Sequence, residues 1–139
     1  PPFANFDDKF GYWPYPYQVK LYDEPSLFAG KLHAILCRNW KHRIKGRDLY
    51  DFLFYVARKT PVNLKHLEAR LIQSKAMNAS DTLMLEDLQT RLREKFSQID
   101  FEEAKVDVVS FLDDNGKNTL HAWSENLFSE SLKRLIACG

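Results

Sequence analysis

LFAGKLHAILCRNWKHRIKGRDLYD, residues 27–51, reads as two helices joined by a basic loop, and the rest of the chain is organised around it. Leu27, Phe28, Leu32, Ile35 and Leu36 fall at helical spacing and mark one buried face. The helix starts just upstream, where Asp23-Glu24-Pro25 supplies an acidic cap and a proline in the first turn. It is predicted to run to about Arg38. Gly30 interrupts it at a cost of about 1 kcal/mol relative to Ala, which often accompanies close approach of another backbone or a ligand. Lys31 and Arg38 project from nearly the same face, two turns apart. Lys31 borders the apolar face, so packing holds its ammonium.

Residues 39–46 (NWKHRIKG) form the loop, and a second helix is predicted from Arg47 to about Lys59. Leu49, Tyr50, Phe52, Leu53, Phe54, Tyr55, Val56 and Ala57 make it apolar nearly all round, as a helix central to its domain would be. Asp48 and Asp51 are neighbours in its first turn, where the helix dipole favours negative charge. Two readings are open. The acids cap the helix and pair with Arg47 or Arg43, or they serve a site beside the cationic loop.

Upstream, residues 15–22 (YPYQVKLY) alternate as a half-buried strand, with Tyr17, Val19 and Leu21 on one side. A lone strand leaves its backbone groups unpaired, so a weak partner lies in residues 3–13 or the sheet is completed elsewhere. The aromatic lead-in of Phe3, Phe6, Phe10, Tyr12 and Trp13, held extended by Pro14 and Pro16, is too apolar for a free tail. Downstream, amphipathic helices are predicted. The first spans about Leu64 to Lys75, capped by Asn63 or Thr60, with His66 on the solvent face. The next runs from a Ser80 cap to about Gln98, with Leu85, Leu88, Leu92 and Phe96 buried and an Asp87–Arg91 pair. Asp100 opens another to about Leu112, burying Phe101, Ala104, Val108, Phe111 and Leu112. Residues 113–116 (DDNG) read as a turn. Asn118 or Thr119 caps a last helix burying Leu120, Trp123, Leu127, Leu132 and Leu135. The expected fold is mainly α: about six helices with one or two N-terminal strands.

The chain has 139 residues and a formal net charge of +1. Total charge therefore implies no polyanion partner, but its distribution is uneven. Lys31, Arg38, Lys41, Arg43, Lys45 and Arg47 face no acid between Pro25 and Arg47; taken alone the run reads as a solvated loop, and the other reading is a local anionic ligand. Cys37 and Cys138 are read as free thiols in a reducing, cytoplasmic setting. No apolar run reaches transmembrane length and no secretory signal is present. The start on Pro1-Pro2, without Met, suggests a piece of a longer chain.

Self-sufficient catalytic sets are missing from the sequence. There is no phosphate-cradling glycine loop, no nucleophile elbow and no calcium loop around Asp113, and His33, His42, His66 and His121 share no ligand spacing with acids or cysteines. Arg38 and His42 stand too close in sequence for a helical ribonuclease pair. His33 is read as a packed, hydrogen-bonded residue. What remains is a lysine suited to phosphate on one helix and an aspartate at the head of the next, half of a phosphoryl- or nucleotidyl-transfer site.

Lys31-Leu32-His33-Ala34, then Arg38, then Lys45 to Asp51 (KGRDLYD), preceded by the strand and residues 23–38, resemble the AbiEii/AbiGii nucleotidyltransferase toxins of abortive-infection, phage-defence and toxin–antitoxin systems. The resemblance covers roughly residues 15–59. It implies a polymerase-β-like core followed by a helical C-terminal region. Residues 1–22 would be the remnant of that core, and 23–139 the helical domain. It implies catalytic roles for Lys31 and Asp48, with Asp51 the second candidate, and phosphate contacts from Lys31, Arg38, Lys45 and Arg47. It implies Mg2+ and a nucleoside triphosphate for the full-length enzyme, with none expected bound to this chain. An acceptor such as tRNA and an antitoxin would be partners. The Gly-Ser and Asp-x-Asp of the metal-binding half do not occur in these residues, so the chain alone is expected to be inactive. The alternative is a non-catalytic helical interaction or regulatory module. A weaker third reading is a small nucleic-acid-binding domain, against which the net charge argues.

Overall fold

A computed structural model describes residues 6–12 and 16–139, and residues 6–21 by their backbone only. The strand predicted over 15–22 is β2 (Pro16–Tyr22), and its partner is β1 (Phe6–Tyr12). They pair antiparallel with Phe6 opposite Tyr22 and Tyr12 opposite Pro16, which gives the strand's donors and acceptors their counterparts. The contacts of the aromatic lead-in and the face taken by Tyr17, Val19 and Leu21 lie outside the described residues.

The first helix is α1 (Glu24–Cys37), capped by Asp23, whose carboxylate accepts the Ser26 N–H at 3.0 Å. Phe28, Ala29, Leu32 and Ile35 are fully buried, whereas Leu27 turns outward and is 46% exposed. The second helix is α2 (Gly46–Ala57), and it buries Leu49, Phe52 and Val56. It is less enclosed than its composition predicts, because Phe54 faces solvent beneath the Arg58 guanidinium, 5.2 Å from its ring centre. Lys59, at φ 60, closes α2 in the left-handed conformation, and the Thr60 N–H returns to the Tyr55 carbonyl at 3.1 Å.

Asn63 caps α3 (Leu64–Gln73) by accepting the His66 N–H at 3.1 Å. His66 is not on a solvent face: it is 1% exposed, with its ring 5.9 Å from that of Tyr22. Periodicity alone misplaces it because the first turn of α3 packs beside α1 and the end of β2. The next helix, α4 (Leu85–Phe96), starts later than Ser80. Leu83 is buried and donates its N–H to Glu68 Oε1 at 2.7 Å, which holds the approach as a loop. Asp87 closes the start by accepting the Met84 N–H at 3.0 Å, and Arg91 bonds the Ala76 carbonyl at 3.2 Å in place of the expected Asp87 partner.

Asp100 caps α5 (Phe101–Val109), accepting the N–H groups of Glu102 and Glu103. That helix stops before Phe111, which is 63% exposed and lies under Arg47, 5.0 Å from ring centre to guanidinium. The predicted turn at 113–116 is instead the cap and opening of α6 (Asp114–Thr119), where Asp113 accepts the Gly116 N–H at 2.8 Å. The last predicted helix is also divided. A 3-10 turn at Leu120–Ala122 leads to Trp123, then Ser124 caps α7 (Glu125–Ser131) through the Leu127 N–H at 3.1 Å. A serine that recaps the chain ends one helix and starts another. Beyond it, β4 (Ala137–Cys138) pairs in parallel with β3 (Val62–Asn63).

Aromatic rings tie these elements together. Phe28, Phe52, Phe96 and Phe128 are fully buried. Phe52 of α2 lies 6.2 Å from Phe28, 5.4 Å from Phe96 and 5.9 Å from Phe128 between ring centres. Phe128 also meets Phe101 at 5.0 Å and Trp123 at 5.3 Å. Each buried ring contributes roughly 1.5–3 kcal/mol, and each pair about 0.5–1.5 kcal/mol beyond that. At its other end, α2 runs so close to α5 that a Cβ on Gly46 would stand 2.1 Å from the Ala104 carbonyl oxygen. The Gly46 N–H, an orphan donor of the first turn, goes to Asp107 Oδ2 at 2.8 Å.

Candidate functional site

The helices α1 and α2 bring Lys31, Arg38, Asp48 and Asp51 into one cluster. Lys31 comes from the middle of α1 and Arg38 from its C-cap, so the two-turn spacing gives both cations access to the first turn of α2. Lys31 Nζ stands 2.8 Å from Asp48 Oδ1 and 3.0 Å from Asp51 Oδ2. Arg38 Nη2 stands 2.8 Å from Asp48 Oδ2. Asp48 is thus held on both oxygens, and its side chain is only 9% exposed. The acids pair with α1 rather than with Arg43 or Arg47, and the N-cap of α2, Lys45, makes no side-chain capping bond.

The loop between the helices is anchored, not loose. Trp40 is 2% exposed and donates its indole N–H to the Ile35 carbonyl at 2.9 Å. Asn39 accepts the Lys41 N–H on its side chain at 3.1 Å and the His42 and Arg43 N–H groups on its carbonyl. Lys45 and Arg47 are both exposed, Arg47 over Phe111, and neither joins the Asp48 cluster among the described residues. His33 bonds Ser74 Oγ at 3.0 Å, as a packed, hydrogen-bonded histidine would. Cys37 and Cys138 are free, and Cys37 is exposed.

Burial presses the Lys31 ammonium toward its neutral form. Its hydrogen bonds to Asp48 and then Asp51 outweigh that, and hold it charged above the ordinary value of 10.5. A raised folded-state pKa contributes stability that is fully present below the unfolded value and lost as pH climbs through the folded one. Thermal unfolding between pH 8 and 12 is therefore expected to show a steeper loss above about pH 10.5 for the native chain than for Lys31→Met. Parallel curves would remove the coupling.

Donor capacity remains in this cluster. An ammonium has three N–H donors, and Lys31 uses two on carboxylates; a guanidinium has five. Arg38 Nε is buried without a partner. An anionic oxygen entering here would find the third Lys31 N–H, since Arg38 Nε has no exposed surface. A divalent cation would not be held: both oxygens of Asp48 already face cations, and the described residues contain no group of three His, Cys, Asp or Glu able to hold a metal ion. The arrangement matches two cations with two carboxylates and does not by itself suit a metal clamp.

Sequence reasoning found the four charged residues from their spacing and missed three that position them. Trp40 pins the loop, and a large aromatic inside a basic run was the available signal. Gly46 admits the α2–α5 contact, and Asp107 satisfies its N–H; no local pattern connects residues so far apart.

A family model described as "Nucleotidyl transferase AbiEii toxin, Type IV TA system" matches residues 2–130. No curated protein and no solved structure matches the chain.

Proposed function

Because the chain belongs to the AbiEii nucleotidyl transferase toxin family, we propose that it supplies the helical, phosphate-contacting part of a nucleotidyl-transfer site. Family membership implies use of a nucleoside triphosphate and a divalent metal in general, and a type IV toxin–antitoxin setting implies an antitoxin counterpart. No helix of the described residues is long and apolar enough to cross a membrane. The proposal goes further. Residues 1–22 are the remnant of the transferase core, and residues 23–139 its helical C-terminal domain. The setting is cytoplasmic phage defence by abortive infection, and the acceptor is an RNA such as tRNA.

The observation that carries this reading is the Lys31–Asp48–Arg38 arrangement. In nucleotidyl transfer an acceptor hydroxyl gives up its proton to water as its oxygen bonds to the α-phosphorus, the bond to the bridging oxygen breaks, and pyrophosphate leaves with its charge. Lys31 and Arg38 stabilise that phosphate charge. Asp48 holds both cations in position, and Asp51 supports Lys31. Lys45 and Arg47 add a positive field at the loop. Mg2+ would be held by the Gly-Ser and Asp-x-Asp elements that these residues lack, so the chain alone transfers nothing.

Incubating the chain with labelled nucleoside triphosphates, Mg2+ and tRNA is expected to give no labelled RNA; efficient transfer would overturn its inactivity. In a protein that joins this chain to the metal-binding segment, Lys31→Gln is expected to cut transfer by about 10²–10³-fold, the effect of removing one electrostatic donor. Unchanged transfer would remove Lys31 from the site. Lys31→Arg keeps the ion pairs and serves as the folding control. A second reading, a non-catalytic helical interaction or regulatory module, draws support from the complete pairing of Asp48 with cations. It predicts that Lys31→Gln leaves antitoxin binding weakened and no transfer to lose.

A further inference from the structure

His33, Cys37 and Ser74 form a cluster that the transfer site does not use. His33 and Cys37 are one turn apart on α1 and so share a face. Both reach the serine that ends α3: His33 Nε2 stands 3.0 Å from Ser74 Oγ, and Cys37 Sγ stands 3.7 Å from the same oxygen. The hydroxyl also lies 3.0 Å from the Arg70 carbonyl and 3.2 Å from that of Leu71. The oxygen is thus held in place while its single proton has a choice of acceptors. Turned to His33 Nε2, that proton leaves the oxygen open to the Cys37 thiol, and thiol, hydroxyl and imidazole form a chain. Burial first, and then the charge of Arg70, hold His33 below its ordinary value of 6.5. It is therefore in the neutral form, which can take up a proton.

The thiol opens into a cationic cleft. Cys37 is exposed. With Arg38, Asn39, Lys41, Lys95 and Gln98 it lines a space of about 460 Å³ that no acid among the described residues lines. Arg38 is spent on Asp48, but Lys41 and Lys95 join no ion pair among the described residues. Lys95 Nζ lies 3.4 Å from the Arg38 carbonyl, at the end of α1 whose dipole would oppose a thiolate, and its charge offsets that dipole. An exposed thiol beside cations and a base is of the reactive kind. Cys138 is the contrast, because burial and the nearby Asp23 push it above the ordinary value of 9.0, toward the inert thiol.

We propose that Cys37 is a thiol-modification site, which reacts with a low-molecular-weight disulfide bearing carboxylates and becomes a mixed disulfide. In the step, Cys37 gives its proton to Ser74 Oγ as Ser74 passes its own to His33 Nε2. The sulfur's electron pair bonds to one sulfur of the disulfide and the S–S bond breaks. The other half leaves as a thiolate and takes the proton from the His33 imidazolium. Cys37 is oxidised and the incoming disulfide reduced by the same two electrons. Lys41 and Lys95 hold the carboxylates of the reagent. The adduct stands at the C-cap of α1, and its formation needs neither nucleotide nor metal.

The test is a rate series on the Cys138→Ser chain, in which Cys37 is the one thiol. Mass spectrometry follows adduct formation with dithiodiglycolate (anionic), hydroxyethyl disulfide (neutral) and cystamine (cationic), each rate divided by that of N-acetylcysteinamide. At low salt the anionic reagent is expected to react about 10-fold faster than the cationic one, and added salt to close the gap. Lys41→Gln together with Lys95→Gln should close it too. His33→Gln and, separately, Ser74→Ala should slow all three reagents by roughly 10-fold and keep the charge preference. That loss is smaller than the about 10²–10⁴-fold of a full general base, because part of any thiol ionises unaided near neutrality. A change in packing alone would not divide rate from preference in this way, and circular dichroism checks that each variant folds. Equal normalised rates for the three reagents, or a preference that survives the double lysine variant, overturns the cleft. Native rates in both the His33 and the Ser74 variant overturn the relay. Modification of Cys138 ahead of Cys37 in the native chain, read by peptide mapping, overturns the site.

Discussion

Gly46→Ala is expected to destabilise the chain by about 3 kcal/mol, the upper end for overpacking a core. The added methyl would stand 2.1 Å from the Ala104 carbonyl oxygen and 2.8 Å from Val108 Cβ. Neither can swing away, because the first is helix backbone and the second lies at the root of a buried side chain. The first turn of α2 would be pushed off α5, and the bond from the Gly46 N–H to Asp107 would lengthen. Chemical denaturation of the variant measures the loss. Gly30→Ala gives the contrast. Its nearest neighbour would be the end of the flexible Arg70 side chain at 3.5 Å, so no backbone approaches this glycine closely. Alanine there is expected to stabilise α1 by up to about 1 kcal/mol. Equal effects at the two glycines would contradict the close crossing at Gly46.

Asp48→Ala is expected to cost about 3 kcal/mol, because it strands cations that are already largely withdrawn from water. Arg38, whose side chain is 15% exposed, would keep no carboxylate. Lys31 would keep only Asp51, which is 36% exposed. Asp51→Ala is expected to cost no more than about 1 kcal/mol, since its charge is partly solvated and Asp48 still holds Lys31. Urea unfolding of the two variants side by side decides it: equal losses would mean that Asp48 is no more central than Asp51. The result also governs how transfer data are read. Lys31 and Asp48 lie in the packing between two helices, so a variant at either position changes stability together with any chemistry. Activity therefore has to be compared at temperatures where each variant is folded.

How much of this was legible in the sequence depends on how far apart the deciding residues lie. Asp23 and Pro25 mark the start of α1 because capping is settled within one turn. The facing of Lys31 and Arg38 was legible because a helix has a fixed period. That Asp48 would choose α1 over the nearby Arg43 and Arg47 was not, since it depends on how two helices pack. The same limit explains α4. Ser80 is a good cap by type, but Leu83 finds a buried place and a bond to Glu68, and the helix waits until Leu85. His66 looked exposed on its own helix and is covered by Tyr22. At the C-terminal end the apolar spacing from Leu120 to Leu135 suggested one helix, and Ser124 as a new cap divides it.

The pairing of β3 with β4 has a consequence in time. Val62 donates its N–H to the Ile136 carbonyl at 2.7 Å, and Asn63 lies opposite Cys138. The contact closes a loop of more than half the chain, so it carries the largest closure entropy of any pairing in the molecule's described strands. As the chain emerges during synthesis, α1 and α3 have each other in hand long before this seam can form, while α2 still waits for Phe96, Ala104 and Phe128. The seam is expected to be the last piece to close and the first to open, with the capped end of α3 waiting on it.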